Sequence, residues 1–437
     1  MMSPSRTDAE PQPTLRPAAQ VMDLDRLGSH FQSRLSFVRS SMRRMMNEQW
    51  RIQRTCFDLD AEGFGTAIYR IDTATAHYHC VIFSNDLPPE KRSDRVIADQ
   101  WDVSFVLLAG DVDEQQLADL RRNVPLQEAG RFDARVLVLS RANRSLRNFE
   151  RFLGALAEGC QPDPRQLAEV GYLYRTTAVY GNGKFGIADF SCLQGNADFT
   201  QPFSAQMFTV YLLRHFSIEQ IEHMARARNP QRAVGLDIAL QRYLGVGNST
   251  GLGMAPFLIN HPQLVNQWLW ARETALARVL AQPADLPRVQ RFQALLQRAC
   301  QHLAQTRTDD PRQSAIDRQT LAELGQLAEW FDGQPVSTDL WPRVQGWAES
   351  HGGNGCQELL VSLLLELYPE QVDPLAEQMS VKEGFRLNAE MPLDELCDLI
   401  ESRYRWALDY DLSAAEANHF FWYRSAEKEE PRLGERA

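Results

Sequence analysis

The sequence predicts an α+β fold, in which an N-terminal antiparallel β-sheet unit is followed by a large, mainly helical region. Between residues 50 and 140, short runs of β-branched and aromatic residues are separated by turn residues, which is typical of hairpin-linked strands. From residue 200 to residue 425, apolar residues instead recur every three or four positions, as on one face of a helix. The length of 437 residues, with 44% hydrophobic and 24% charged residues, allows two or three folded domains.

Changes in this pattern divide the chain into four predicted segments. Residues 1–21 are rich in proline and small polar residues, and we expect a disordered tail. Residues 22–145 combine a helix with the antiparallel sheet, and residues 146–285 form a helical domain with an inserted hairpin and a Gly-rich loop. Residues 286–437 form a C-terminal helical region. It ends in HFFWYRSAEKEEPRLGERA without a closing element, so the expectation is either a truncated C-terminus or a frayed tail.

The first unit is predicted to begin with a long helix. Residues 22–54 place apolar side chains three and four positions apart, from Leu24 and Leu27 onward. The next runs, TCFDLD, GTAIYRID, AHYHCVIFSN, WDVSFVLLAGD and ARVLVLS, are predicted strands. A helical insert is expected near DEQQLADLRRNV.

Helices are predicted to follow the sheet. Arg144, Arg147 and Arg151 are spaced to share one helix face, and such a charged stripe is typical of a solvated surface. The stretch 204–228 is predicted to form two consecutive helices. The second would begin at the capping-box pattern 217–220, and Asn229-Pro230 would end it.

Composition excludes several classes of protein. The chain has no run of eighteen apolar residues and no secretory signal at its N-terminus, so no membrane partner is expected. Its seven cysteines are scattered without a CxxC pair, which favours free thiols in the cytoplasm. The net charge of −11 argues against a nucleic-acid partner. The oligomeric state stays open, and a homo-oligomer is among the alternatives.

The segment GVGNSTGLGMAPFLINHP, residues 245–262, is the strongest candidate for a binding loop. Four glycines fall within nine positions, between two predicted helices, with Gly245 as a left-handed C-cap. Backbone N–H groups there could face an anion. The candidate ligand-binding residues are Gly247, Asn248, Ser249, Thr250, Gly251 and Gly253. The alternative is a plain connection between helices. No Walker motif and no dinucleotide fingerprint is present, so no cofactor is identified.

A second glycine cluster, YGNGKFG, occupies residues 180–186. Asn182-Gly183 predicts a type I′ hairpin turn, which would explain both residues without a ligand. Arg175 and Lys184 flank this turn and could offer cations to an anion. The alternative is a hairpin with a purely structural role.

His261 directly precedes Pro262, at the expected N-terminus of a long helix. The positive end of that helix dipole favours a neutral imidazole, which could act as a general base. A capping or packing histidine is the alternative.

Two patterns suggest metal sites, and both are incomplete. His77 and His79 share one strand face without a third ligand, so an exposed strand face is expected. FDLDAEGFG begins like a calcium-binding loop at Asp58, but its twelfth position is Tyr69 rather than a glutamate, so we expect a hairpin turn. The sequence predicts no tightly bound zinc or calcium.

Two functional hypotheses follow. The favoured one is a cytoplasmic enzyme that binds a small anionic metabolite, a carboxylate or a phosphate, at the two Gly-rich segments. Lys184 and His261 would be the catalytic residues, and Lys184 and the loop 247–253 would border one pocket. The alternative is a non-catalytic helical scaffold that binds other proteins. A scaffold has little need for eight clustered, non-repetitive glycines, which are Gly181, Gly183, Gly186, Gly195, Gly245, Gly247, Gly251 and Gly253.

Overall fold

A computed structural model shows a seven-stranded sheet in the N-terminal half, followed by a mostly helical C-terminal region. It describes residues 16, 34–35, 37–91, 100–124, 134–178, 195–199, 204–241, 244–248, 262–305 and 311–378. The predicted α+β fold is therefore confirmed. Apart from Arg16, the predicted N-terminal tail lies outside the described residues, and so does the chain end after residue 378.

The strands follow one another across the sheet in chain order. They are β1 (Arg51–Leu59), β2 (Gly65–Asp72), β3 (His77–Ser84), β4 (Val103–Ala109), β5 (Val136–Arg144), β6 (Tyr172–Ala178) and β7 (Gly245–Asn248). Every neighbouring pair from β1 to β6 is antiparallel, whereas β6 and β7 are parallel. The antiparallel sheet expected within residues 50–140 is thus confirmed, and two further strands extend it.

The helices lie between and after these strands. They are α1 (Phe37–Asn47), α2 (Glu114–Asn123), α3 (Phe149–Ala157), α4 (Pro164–Glu169), α5 (Ser204–Arg228), α6 (Ile238–Gln241), α7 (Pro262–Leu280), α8 (Leu286–Gln305), α9 (Pro311–Asp332), α10 (Leu340–His351), α11 (Asn354–Leu365) and α12 (Pro369–Gln378). Helix α2 is the predicted insert, and the side chain of its N-cap, Asp113, accepts from the backbone N–H of Gln116 at 2.8 Å. Within the described ranges, no helix is both long and apolar enough to cross a membrane.

Both faces of the sheet are covered. On one face, Ile82 of β3 packs in a core with Phe149 of α3 and Phe216 of α5. On the other face, Val81 packs in a smaller core with Leu120 of α2. Successive residues of a strand point to opposite faces, so strands covered on both sides are apolar along their whole length.

The C-terminal helices form a core of their own. Trp341 of α10 is fully buried and lies edge-on to Phe292 of α8, with ring centroids 5.6 Å apart. The indole N–H of Trp341 donates to the Tyr368 hydroxyl at 2.8 Å. Leu360 of α11 completes the centre of this core.

Residues N-terminal to the sheet contact this helical core. Arg16 forms two hydrogen bonds with the Glu273 carboxylate, at 2.7 and 2.8 Å. Arg34 forms a similar pair with Asp373, at 2.6 and 2.8 Å, and Leu35 is fully buried among the C-terminal helices.

Two predicted helices differ from the observed ones. Residues 51–54, expected at the end of a long helix, belong to β1, because Gln49 adopts φ 55° and the helix ends at Asn47. The stretch 204–228 is one continuous helix rather than two. The Ser217 hydroxyl donates to the Arg214 carbonyl at 2.7 Å inside that helix, so it does not start a new one.

The predicted arginine stripe is also wrong. Arg144 is the last residue of β5 and is buried, whereas Arg147 and Arg151 are exposed. The three residues therefore share no helix face.

By contrast, the hairpin turn expected at FDLDAEGFG is confirmed, with Asp60 and Phe64 closing it through two hydrogen bonds of 2.8 and 2.9 Å.

Candidate functional site

The candidate site lies at the edge of the sheet where β6 and β7 pair in parallel. Arg175 pairs in register with Gly247, and Thr176 pairs with Asn248. Three residues proposed from sequence, Arg175, Gly247 and Asn248, therefore stand on adjoining strands although about seventy positions separate them along the chain.

Each of these strands ends before or within one of the two glycine clusters. β6 ends at Ala178, before YGNGKFG, and β7 ends at Asn248, inside GVGNSTGLG. Because the strands are parallel, both ends lie at the same edge of the sheet. In sheets with parallel strands, ligands bind at the carboxyl ends of the strands.

A crossover through α5 creates the parallel pair. The chain runs from β6 into α5, which packs against both β6 and β7, and then returns as β7. Such a connection is the normal way to join parallel strands. It places the first four residues of GVGNSTGLG on β7, where the sequence predicted a loop between two helices.

Partly buried contacts anchor the start of β7. The Gly245 N–H donates to the Gly171 carbonyl at 2.7 Å, and the Arg214 guanidinium of α5 donates to the carbonyls of Gln241 and Leu244. Burial lowers the pKa of Arg214 below its ordinary value, while nearby Tyr211 opposes that shift. Gly245 is not among the glycines with positive φ, so its predicted role as a left-handed C-cap is wrong.

A buried network supports β6 from the core side. The Tyr174 hydroxyl accepts a hydrogen bond from Arg144 Nε at 3.1 Å and donates one to Gln220 Oε1 at 2.8 Å. Gln220 Nε2 donates in turn to the Gly63 carbonyl at 2.7 Å and to Ser84 Oγ at 2.9 Å. The network joins four strands or their turns to α5 and so fixes the position of β6.

Burial dominates the electrostatics of this network. It raises the pKa of the Tyr174 phenol to about 12, although the Arg144 charge opposes the shift. Burial alone would lower the pKa of Arg144, but Tyr174, Asp102 and Glu150 together hold that pKa above its ordinary value. Arg144 therefore stays charged inside the protein.

The remaining sequence-derived site residues lie outside the described residues. They are Asn182, Lys184, Ser249, Thr250, Gly251, Gly253 and His261. Gly247 and Asn248 belong to β7, and Arg175 of β6 is half-buried. The common edge of Arg175, Gly247 and Asn248 is thus observed, whereas the pocket expected between Lys184 and the loop 247–253 stays a prediction.

The histidine pair on β3 has protein partners. His79 is buried, not exposed as expected, and its Nδ1 lies 2.7 Å from the Gly110 carbonyl oxygen. His77 Nε2 lies 3.1 Å from a carboxylate oxygen of Asp111. Among the described residues, no group of three or more His, Cys, Asp or Glu side chains is placed to hold a metal ion.

The sequence pattern places Arg144 on the wrong element and Gln220 in a capping box, and it does not single out Tyr174. A signal for Arg144 is present in VLVLSRANR, where it falls two positions after the core residue Ala142 in the alternation of a strand. Gln220 is fully buried, yet a lone glutamine in an apolar helix carries no sequence signal for its partners.

Comparison of the chain with models of protein families, with curated proteins and with solved structures finds no match. The functional interpretation therefore depends on the chemistry and geometry of this chain.

Proposed function

We propose that the protein is an enzyme that binds a small anionic metabolite, a carboxylate or a phosphate, at the edge formed by β6 and β7. The observation that carries this proposal is the register pairing of Arg175 with Gly247. A cation and the start of a glycine-rich segment thus stand side by side where two parallel strands end.

This combination suits an anion for a physical reason. Glycines let a ligand approach backbone N–H groups closely, and an arginine adds charge-assisted hydrogen bonds that fit a carboxylate or a phosphate. Asn248, Ser249 and Thr250 would add polar side chains from the same segment. Fixed donors of this kind stabilise developing negative charge in many reactions, so they support catalysis without naming a reaction class.

The catalytic roles come from the sequence. Lys184 would supply a second cation, and His261 would transfer protons as a neutral imidazole. We place the enzyme in the cytoplasm, and the cysteines support this choice: all five within the described part of the chain, Cys56, Cys80, Cys160, Cys300 and Cys356, are free thiols.

A thermal-shift screen tests the proposal. The full chain would be heated with phosphates, carboxylates and coenzyme A esters, because a ligand that binds only the native state raises the melting temperature. We expect at least one class to do so in a concentration-dependent way. The scaffold alternative predicts no shift with any of them.

Glycine variants then locate the binding site. Gly251→Ala and Gly253→Ala should weaken the ligand because an added methyl group blocks approach to the backbone. Gly245→Ala is the matched control: its φ is not positive, and the nearest neighbouring atom to an added Cβ lies 3.8 Å away. If all three variants bind the ligand as wild type does, the loop is a connector and the proposal is wrong.

A further inference from the structure

A cleft with a volume of about 440 Å³ is lined by none of the candidate-site residues. It is formed by the turn between β1 and β2, the segment after β3, the last residue of β5, and the ends of α3 and α5. In register, Arg144 pairs with Tyr174, whereas Asn143 pairs with Arg175. Because neighbouring residues of a strand point to opposite faces, this cleft is separate from the edge that carries Arg175.

Arg144 lines the inner part of this cleft. Only 5% of the residue is exposed, and its guanidinium lies against the rings of Phe149 and Phe64, at 4.4 and 5.3 Å from their centroids. Of the five N–H donors of a guanidinium, the structure gives one a protein acceptor, the Nε–H bonded to Tyr174. Nη2 is buried without a hydrogen-bond partner among the described residues.

The Arg144 charge also lacks an ion-pair partner among the described residues. The carboxylate of Asp102 lies nearby, but it accepts from the Arg144 backbone N–H at 2.9 Å. Asp102 and Glu150 favour the charged form of Arg144, but its unused buried donors are costly unless a ligand supplies acceptors for them.

The outer part of the cleft carries the opposite charge. Glu150 is paired with Arg228 at 3.3 Å, so those two charges offset each other. Glu62 and Asp86 also line the cleft; both are exposed, and neither has an ion-pair partner within the described part of the chain. Counting partners only among the described residues, one unpaired cation lies inside and two unpaired carboxylates lie near the opening.

The walls between these charges are apolar. Phe64, Leu87 and Met224 line the cleft, and the last two are buried. A ligand that fills the cleft therefore meets an arginine, an apolar surface and two carboxylates.

We propose that this cleft binds a small zwitterion of the amino-acid class. Its carboxylate accepts hydrogen bonds from the Arg144 guanidinium, its ammonium group faces Glu62 and Asp86, and its side chain contacts the apolar wall. A simple anion bonds to the arginine but is repelled by the two carboxylates. A simple cation is attracted by the carboxylates but repelled by the arginine. The volume is within the range of small-molecule pockets. This inference does not depend on the proposed function at β6 and β7.

Calorimetric titration of the full chain with the twenty L-amino acids tests the inference. We expect at least one to bind. Two analogues of that amino acid serve as comparisons: the carboxylic acid without the amino group, and the amine without the carboxylate. Each should bind at least about tenfold more weakly than the amino acid, because each loses one charge-assisted contact.

Variants near the opening assign the site without disturbing the buried network. Glu62→Gln combined with Asp86→Asn should weaken the amino acid about tenfold, while the affinity of its des-amino analogue stays the same or rises. Ala227→Trp, at an exposed position that lines the cleft, should abolish binding of both by filling the space. Glu329→Gln, on α9, and Ala281→Trp, directly after α7, alter exposed positions of the C-terminal half and serve as controls.

Three results would overturn the inference. These are the absence of binding by any amino acid, equal binding of an amino acid and its des-amino analogue, or wild-type affinity in the Ala227→Trp variant. The second result would identify a plain anion site, and the third would place binding elsewhere on the protein.

Discussion

Tyr174 connects two side chains that have few other polar partners. Its hydroxyl accepts from Arg144 Nε and donates to Gln220 Oε1, and all three residues are buried. Removing this oxygen leaves a buried donor and a buried acceptor unpaired, each at a cost of about 1–3 kcal/mol. The network thus links the strand that carries Arg175 to the core of the sheet unit.

We expect Tyr174→Phe to lower the free energy of unfolding by about 2–3 kcal/mol, measured by urea denaturation. Tyr211→Phe is the control, because within the described residues the Tyr211 hydroxyl has no hydrogen-bond partner. Equal stability of the two variants would show that the network contributes nothing beyond the packing of the ring.

Gly65 illustrates a glycine required by the backbone. Its φ is 144°, and a Cβ there would overlap the carbonyl oxygen of Asp58 on the paired strand. Gly65→Ala should therefore destabilise the protein by about 2–3 kcal/mol. At Gly245, φ is not positive and an added Cβ would meet only an ordinary contact of 3.8 Å, so Gly245→Ala should change stability by less than about 1 kcal/mol. Thermal melts of both variants measure these effects. A larger effect at Gly245 than at Gly65 would contradict the backbone geometry described for both.

Two buried cysteine thiols predict a loss of stability in alkaline solution. Burial raises the pKa of the Cys80 and Cys356 thiols to about 12, from an ordinary value of 9.0. Between pH 9 and pH 12 the unfolded chain binds fewer protons than the folded one, so the stability present below pH 9 is lost as the pH rises. In urea titrations from pH 8 to pH 11, Cys80→Ala should show a shallower loss than wild type, and exposed Cys160→Ala should show the wild-type slope. Parallel curves for Cys80→Ala and wild type would contradict the buried-thiol explanation.

At the scale of elements, sequence patterns predicted the strands and helices that are encoded by residues close together in the chain. Alternation predicted β1 to β5, and the helical pattern of DEQQLADLRRNV predicted α2. β7 could not be predicted from GVGN, because glycine disfavours strands and the strand forms only by pairing with β6. Arg175 and Gly247 were proposed as site residues from their types, but their register pairing depends on the α5 crossover, which no local pattern encodes.

An arginine of α5 also contacts the segment that leads into β7. Arg214→Met should remove the donors to the Gln241 and Leu244 carbonyls, so the start of β7 should open more often. Hydrogen exchange followed by mass spectrometry should show faster exchange in peptides that contain residues 245–248, and unchanged exchange in β3. Arg226→Met alters an exposed arginine of the same helix and should leave both regions as in wild type. Unchanged exchange in the Arg214 variant would show that pairing with β6 suffices to hold β7.

At the scale of the molecule, charged contacts compensate buried carboxylates of the C-terminal helices, and one of these contacts comes from the N-terminal part of the chain. Arg16 bonds to Glu273, and Arg272 bonds to Glu358; both carboxylates are buried in the C-terminal helices. Two buried carboxylates need both cations nearby, so loss of one arginine leaves a buried charge poorly compensated.

Arg16→Met should therefore destabilise the C-terminal helical core by about 3 kcal/mol. The loss should be visible as a lower urea midpoint in tryptophan fluorescence, since Trp341 lies in that core. Arg165→Met, an exposed arginine in α4, should leave the midpoint unchanged. An unchanged midpoint for Arg16→Met would mean that Arg272 alone compensates both carboxylates.

The most direct test of anion binding at β6 and β7 is a double-mutant cycle on ligand affinity. The best anion from the thermal-shift screen would be titrated calorimetrically into wild type, Arg175→Met, Lys184→Met and the double variant, with Arg165→Met as a control for lost charge. Each single variant should bind about tenfold or more weakly, and the double variant should lose less than the product of the two factors, because both cations contact one ligand. Wild-type affinity in Arg175→Met would contradict a binding site at this edge of the sheet.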